Sequence, residues 1–273
     1  MDSIDIRTTG PEGAVAPSGG ARTLTVAVVG GTGTLGRQVV AALRAAGHDV
    51  RALSRHSDHP VDLRTGRGLA PALAGCDVVV DAGNGTGPAR KAARTLVDGT
   101  ERLLDAEAAA GVRHHVSVDI VGSALVPMAY FELKTAQQHL VESGPVPWST
   151  VSATQFHEFA VATLASYTHL GLTVAPPMRV QPVASAEVAA VVAGVAQGAA
   201  SGTRTVVTGP EVRELRDLAR AWKRGSGRHA LVTPVVLPGA AGRALRDGAL
   251  TSDAADVVGR TTFEEWLAST ATA

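Results

Sequence analysis

Leu24-Thr-Val-Ala-Val-Val29 runs straight into Gly30-Gly-Thr-Gly-Thr-Leu-Gly36, and the reading of this stretch decides the fold. The first six residues are apolar and rich in β-branched side chains, as in a short strand buried on both faces. Thr34 to Ala46 follows with Leu35, Val39, Val40 and Leu43 on one helical face, and Gly47 stops it. Asp49 to Leu53 predicts a second strand, so the segment is one βαβ crossover. Glycines at 30, 33 and 36 fall in the turn between strand and helix. Gly30 allows the tight turn, Gly33 the close approach of a diphosphate, and Gly36 the packing of helix on strand. The free N–H groups near Thr34 and Leu35, with Thr32 in the same turn, then face the phosphates. Glycine spacing alone is a weak signal, but the strand before it and the helix after it give it weight. A nicotinamide dinucleotide is the expected cofactor.

The end of the second strand predicts which one. An acidic residue there binds the ribose 2′-OH of NAD, whereas an arginine accommodates the 2′-phosphate of NADP. The chain has Arg51-Ala-Leu-Ser54-Arg55 and no carboxylate before Asp58. Arg55 offers a bidentate phosphate contact and Ser54 a hydroxyl, so NADP is expected, with NAD as the alternative.

The alternation continues. Val61–Leu63 predicts a weak strand, and a short helix ends at Gly75. Asp77–Ala82, His115–Val118 and Trp148–Val151 read as strands. Ala89–Ala110 reads as one long helix and Ala129–Ser143 as another, with Gly111 and Gly144-Pro145 as stops. Strands alternating with helices imply an α/β fold, a doubly wound parallel Rossmann sheet over residues 23–153. Beyond it the rhythm loosens, with helices near 155–168, 185–197, 211–223 and 262–269 and strands near 172–174, 203–207 and 231–236. Residues 154–273 are read as a smaller carboxy-terminal region that closes over the sheet and selects substrate.

Composition narrows the partners. Acidic and basic residues balance at 25 each and aromatics are 3%, which argues against nucleic acid or an anionic membrane surface. No apolar run reaches the roughly 18 residues of a spanning helix. Residues 1–22 read as a flexible leader unlike a signal peptide, so a cytoplasmic location is the default. Cys76 is the single cysteine, which excludes an intrachain disulfide, and it reads as a buried thiol. A small-molecule substrate and a monomer or homodimer are expected.

Tyr130-Phe-Glu-Leu-Lys134 opens the helix after the fifth strand, and a spacing of four puts phenol and ammonium one turn apart on one face. A nearby ammonium favours phenolate and lowers a tyrosine from its usual pKa of about 10. Such a phenol exchanges a proton with a carbonyl oxygen while hydride moves at carbon.

With GGTGTLG at 30–36, DVVVDAG at 77–83 and YFELK at 130–134, the sequence resembles the short-chain dehydrogenase/reductase superfamily over residues 24–155. The rest is similar to its atypical, NmrA-like branch. That likeness is carried by Val61-Asp62-Leu63, VDGTERLLDAEAAAGVRHHV at 97–116, WSTVSATQFHEF at 148–159, EVRELRDLAR at 211–220 and TFEEWL at 262–267. The resemblance implies that Asp62 and Leu63 border the adenine and that Ala82 and Gly83 line the nucleotide cleft. It implies that Lys134 holds the nicotinamide ribose besides tuning Tyr130, and that a catalytic serine lies near the fifth strand. Ser117 lies thirteen positions before Tyr130, a usual separation in the superfamily. NmrA-like relatives often place the serine a little later, where this chain has Asp119, and Ser123 is a further candidate. Ser117 read as a strand hydroxyl bonded to backbone stays open beside its catalytic reading, and Asp119 at the substrate would mean different acid–base chemistry.

Nine histidines without an H-E-x-x-H or a Cys/His cluster give no reason to expect a metal. Adjacent His114 and His115 point to opposite faces of a strand and read as structural. Gln155 to Glu158 follow the sixth strand, so His157 could meet substrate, although helix capping or surface placement is the plainer reading. Met178 and Arg179 could enter the pocket from the second region, and Trp148, Trp222 and Trp266 read as packing residues. The expected activity is NADP(H)-dependent reduction of a small carbonyl, enone or quinone. A non-redox isomerase, epimerase or dehydratase and a dinucleotide-sensing regulator are the other readings, and the Tyr130–Lys134 pair favours an enzyme over the regulator.

Overall fold

The strand Thr25–Val29 is buried on both faces because its side chains alternate between two helix layers. The computed structural model describes residues 22–85, 87–169, 172–226 and 231–271, so the leader reading of residues 1–22 lies outside it apart from Arg22. In chain order the first half runs β1 (Thr25–Val29), α1 (Thr34–Ala45), β2 (Asp49–Ser54), β3 (His59–Pro60), α2 (Leu69–Leu73), β4 (Val78–Asp81), α3 (Ala89–Leu96), α4 (Asp98–Ala110), β5 (His114–Ile120), α5 (Ala129–Ser143) and β6 (Trp148–Ala153). The second half runs α6 (His157–Ser166), β7 (Thr168–His169), β8 (Leu172–Val174), β9 (Arg179–Val180), α7 (Ser185–Gln197), β10 (Arg204–Thr208), β11 (Arg213–Glu214), α8 (Leu215–Gly225), β12 (Leu231–Thr233), α9 (Gly239–Arg246), β13 (Val257–Val258) and α10 (Phe263–Ala271).

An eight-stranded sheet takes the order β13-β10-β6-β5-β4-β1-β2-β3, and its neighbours pair in parallel. Val26 and Val28 of β1 join Val39, Val40 and Leu43 of α1 and Val188 and Val192 of α7 on one face. Ala27 and Val29 join Leu69 and Leu73 of α2 and Leu103 of α4 on the other. Each such valine or leucine contributes about 1.5–3 kcal/mol by leaving water, so an uninterrupted apolar strand belongs at the centre of the sheet. The chain reverses direction across the sheet at β1, between β4 and β2. That switch opens the crevice where α/β sheets collect ligands.

The structure redraws three expectations. The division at residue 153 runs through the sheet layer, because β10, β13 and α7 complete it. What stands apart is a cluster around α6, β9, α8 and α10, held by Leu164, Leu218, Trp222 and Phe263. The helix expected over 89–110 breaks at Val97 (φ −107°, ψ −73°) into α3 and α4. The step brings Gly99 so close to Leu63 that a Cβ there would lie 3.0 Å from the Leu63 Cβ. Finally, Val61–Leu63 is not a strand, because the Asp62 carboxylate takes the Arg64 N–H and the Asp62 carbonyl takes those of Thr65 and Gly66. These contacts close a turn.

A buried pair, Glu107 of α4 and His115 of β5, bridges helix and sheet with Nδ1 2.9 Å and 3.0 Å from the two carboxylate oxygens. Burial pushes the Glu107 carboxyl up against the opposing His115 charge. Burial also works against the His115 imidazolium, but the charge and hydrogen bond of Glu107 outweigh it and carry His115 upward. The pair therefore keeps a proton that the unfolded chain releases above about pH 6.5. The folded state binds more protons there, so stability falls as pH rises through the folded value. We expect the melting temperature to decline as pH rises above about 6.5, and Glu107→Leu/His115→Phe to flatten that decline at little cost, since apolar replacement of a buried ion pair is often neutral. An equally steep decline in the double variant would contradict this.

Candidate active site at the β1–β4 crevice

Gly30 leaves β1 with φ +69°, and a Cβ there would sit 2.8 Å from the Ala82 carbonyl oxygen, so the turn lies tight against the end of β4. A Cβ on Gly36 would fall 2.1 Å from the Gly30 oxygen, which only glycine avoids. Gly33 differs: its Cβ would meet only the Gly30 oxygen, at 3.2 Å, and Thr32, Gly33 and Thr34 are exposed. Gly33 is the extended N-cap of α1, no side chain caps that end, and no acidic residue occupies its first turn. Uncapped N–H groups beside an open glycine face form a cradle that fits a diphosphate. Leu35 and Gly36 are buried beneath it.

Beyond the glycine turn, the Ser54 hydroxyl accepts the His56 N–H at 3.2 Å and Arg55 is exposed at the end of β2. The Asp62 carboxylate is engaged by Arg64, with Nη2 at 2.8 Å and Nε at 3.0 Å, and these hydrogen bonds hold it below the usual carboxylate range. Leu63 lies under the Gly83 end of the crevice, 3.7 Å from where a Gly83 Cβ would stand. Ala82 and Gly83 follow β4, and Gly83 is fixed by its N–H on Asp81 Oδ1 at 2.8 Å.

Tyr130 and Lys134 both lie in the first turns of α5. The Tyr130 hydroxyl donates to Asn84 Oδ1 at 3.0 Å, and its ring packs edge-on against Phe131 at 5.5 Å. Lys134 is buried, with Nζ donating to the Val118 carbonyl at 3.0 Å and to Gln137 Oε1 at 2.5 Å. Burial lowers its ammonium while the Asp119 and Asp81 charges oppose that. The expected depression of the phenol is not seen. Burial pushes Tyr130 up, the Asn84 hydrogen bond opposes this, and the Asp119 charge adds to it. In this structure the phenol stays neutral at neutral pH.

Ser117 sits in register with Asp81 and Thr150, three residues before β5 ends. Its hydroxyl contacts Thr150 Oγ1 at 2.8 Å and donates to Gln138 Oε1 at 3.3 Å, while Gln138 Nε2 donates to Thr150 Oγ1 at 2.7 Å. The Asp119 carboxylate is paired with Arg204 Nη1 at 3.0 Å, and burial pushes it up against the Lys134 charge. Ser123 is buried in a short 3-10 turn after β5. His157 is neither surface residue nor cap: its Nε2 lies 3.1 Å from the Thr261 carbonyl and its ring packs on Phe263 and Trp266. Gln155 ties β6 to the second region through the Leu250 carbonyl and the Gln181 N–H, and Met178 packs inward. Sequence reasoning missed Asn84, Asp81 and Gln137. Asp81 Oδ2 accepts Gln137 Nε2 at 3.1 Å, so these residues join the Gly83–Asn84 loop to Lys134.

Among the described residues no cluster of His, Cys, Asp and Glu could hold a metal ion, and no helix is long and apolar enough to cross a membrane. No curated protein matches the chain in sequence. Solved structures share its fold. A short-chain dehydrogenase/reductase superfamily protein from Agrobacterium tumefaciens with bound NAD superposes with a TM-score of 0.69 at 20% identity, over 91% of this chain and 96% of that one. An NADPH-dependent quinone oxidoreductase from Escherichia coli, complexed with NADPH, gives 0.69 at 16% identity over 90% and 99%. Triphenylmethane reductase from Citrobacter sp., complexed with NADP(H), gives 0.67 at 18% identity over 90% and 99%. The fold is thus shared with structures solved with these dinucleotides bound. The NAD(P)H-binding family model matches residues 30–198, more than half of the sequence, and the chain belongs to that family.

Proposed function

We propose that the protein is an NADP(H)-dependent reductase of a small carbonyl, enone or quinone. The observation that carries this reading is the Tyr130 phenol, hydrogen-bonded to Asn84 on the loop that follows β4, with buried Lys134 one turn further along α5. When bound, the reduced nicotinamide supplies hydride to the substrate carbon. Tyr130 then gives its proton to the substrate oxygen, a role that a phenol kept protonated by burial suits better than proton removal. Lys134 spends two N–H groups on Val118 and Gln137 and keeps one for a ribose hydroxyl. The Thr34 and Leu35 N–H groups hold the diphosphate, with Thr32 and the glycines 30, 33 and 36 shaping the cradle. Leu63, Ala82 and Gly83 line the wall, and Asp62 orders the adenine end through its pair with Arg64.

Incubation of the protein with NADPH and a panel of ketones, enones and quinones tests the reading through loss of NADPH absorbance. Product without net NADPH consumption would point instead to an isomerase, epimerase or dehydratase. Dinucleotide binding with no turnover and capture of a protein partner would point to a regulator.

Exposed Arg55, with Ser54, is assigned the 2′-phosphate. A charge-assisted hydrogen bond contributes about 1.5–3 kcal/mol, so Arg55→Asp is expected to weaken NADPH by roughly ten- to a hundredfold and leave NADH nearly unchanged. Equal weakening of both in calorimetry would remove Arg55 from the phosphate site.

A further inference from the structure

The fifth strand offers the phenol no hydroxyl. Ser117 is closed into its ring with Gln138 and Thr150, and Asp119 is drawn to Arg204. The side chain that meets the Tyr130 hydroxyl is Asn84, exposed on the loop that follows β4. Its loop is fixed from below. The Gly83 N–H rests on Asp81 Oδ1, Asp81 Oδ2 on Gln137 Nε2, and Gln137 Oε1 on Lys134 Nζ. A run of contacts, two of them buried, thus ties the Asn84 loop to the helix that carries both Tyr130 and Lys134. A Cβ on Gly83 would stand 2.8 Å from Asp81 Oδ1 and would push that carboxylate aside.

We propose that Asn84 is a catalytic residue that binds the substrate oxygen beside Tyr130, in the role expected of a serine. This rests on the reductase reading above. An amide suits the task because Oδ1 receives the phenol hydrogen in the resting protein while Nδ2 has N–H groups to donate to a carbonyl oxygen. In the reaction, hydride from the dihydronicotinamide forms a C–H bond at the carbonyl carbon, and the C=O π pair moves onto oxygen. The Tyr130 O–H bond breaks to give that oxygen its proton. The dihydronicotinamide is oxidised to the nicotinamide cation, the carbonyl is reduced to an alcohol, and the phenolate regains a proton from solvent. Asn84 exchanges no proton; its N–H steadies the charge that gathers on oxygen.

The phenolate of Tyr130 is itself an oxyanion within reach of Asn84, which gives a test without substrate. The chain has two tyrosines, so Tyr167→Phe leaves Tyr130 as the one phenol whose ionisation is followed by the Cζ chemical shift of labelled tyrosine. On that background Asn84→Ala is expected to move the titration upward, because no amide remains to turn its Nδ2 N–H towards the phenolate as the proton leaves, and Asn84→Asp to move it further. With NADPH and a substrate from the panel, Asn84→Ala is expected to lower kcat about a hundredfold, as when one oxyanion donor is removed, with NADPH affinity held within about twofold. Asn84→Ser should recover part of the rate. A titration that does not move in folded Asn84→Ala, or wild-type kcat in that variant, overturns the assignment. Wild-type protein that binds NADPH but consumes none with any substrate overturns the reductase reading instead, and the titration still decides the Asn84 contact.

Discussion

Gly36→Ala is expected to cost the protein about 3 kcal/mol or more and to abolish tight NADPH binding, whereas Gly33→Ala is expected to impair binding alone. The two glycines sit three residues apart in one turn but meet different surroundings. The added methyl at 36 would stand 2.1 Å from the Gly30 oxygen, 2.7 Å from the Gly30 carbonyl carbon and 2.9 Å from the Gly31 Cα. All three are backbone atoms, so no side chain can rotate away, and α1 must retreat from the turn by about an ångström in a close-packed interior. That retreat strips Leu35, Val39 and Leu43 of part of their contact with the sheet and moves the N–H groups that form the cradle. At roughly 2–4 °C per kcal/mol, the melting temperature should fall by about 6–12 °C. At Gly33 the methyl meets one oxygen at 3.2 Å and otherwise projects into the exposed side of the cradle. Gly33→Ala should melt within a degree or two of wild type while its NADPH affinity drops on the order of a hundredfold. Calorimetric melting and NADPH titration of the two variants check this together. Equal melting temperatures in both would mean that α1 does not press on the turn.

Tyr130→Phe is expected to lower kcat by about 10²–10⁴-fold, the usual range for a positioned general acid, with NADPH affinity almost unchanged. The phenyl ring keeps its edge contact with Phe131, so the change removes one hydroxyl and its bond to Asn84. A hydrogen bond of this sort contributes about 0.5–1.5 kcal/mol, and Tyr130 is only half-buried, so the fold should tolerate the loss. Equal losses in kcat and kcat/KM would place the hydroxyl in the transition state alone. Undiminished turnover would remove Tyr130 from the chemistry.

The parts of this structure that could be read from sequence are those where one physical requirement acts on adjacent residues. Val26 to Val29 must be apolar on both faces, and Gly30, Gly33 and Gly36 serve one turn, so strand, cradle and first helix appear in a single line of sequence. The Tyr130–Lys134 spacing is legible for the same reason, because one helix carries both. Where a requirement spans the chain, the pattern gives less. Ser117 has the right separation from Tyr130, but counting positions does not show that its hydroxyl lies level with Asp81 and turns towards Gln138. Asn84 belongs to no motif; it gains its meaning from a tyrosine forty-six positions away. The two-residue strands β3, β7, β9, β11 and β13 carry too few side chains for periodicity to register. His157 reads as a loop-edge residue until Phe263 and Trp266 are folded onto it. A hint at Asn84 was present in the sequence. The segment after β4 offers a short polar side chain directly behind two cleft-lining positions, Ala82 and Gly83.

The pairing of α1 with α7 has a consequence for how the polypeptide is made. Gln38 and Ser185 touch across 147 intervening steps of the chain, and the valines of both helices share one cluster. A ribosome releases α1 early and α7 much later, so the part of α1 that α7 covers stays open until the later helix emerges. Long-range closure of this kind is slow, and exposed apolar surface on an incomplete chain invites association with its neighbours. Nascent chains that stall before residue 185 therefore carry a sticky half-built layer, and the demand for chaperone protection is concentrated in that interval.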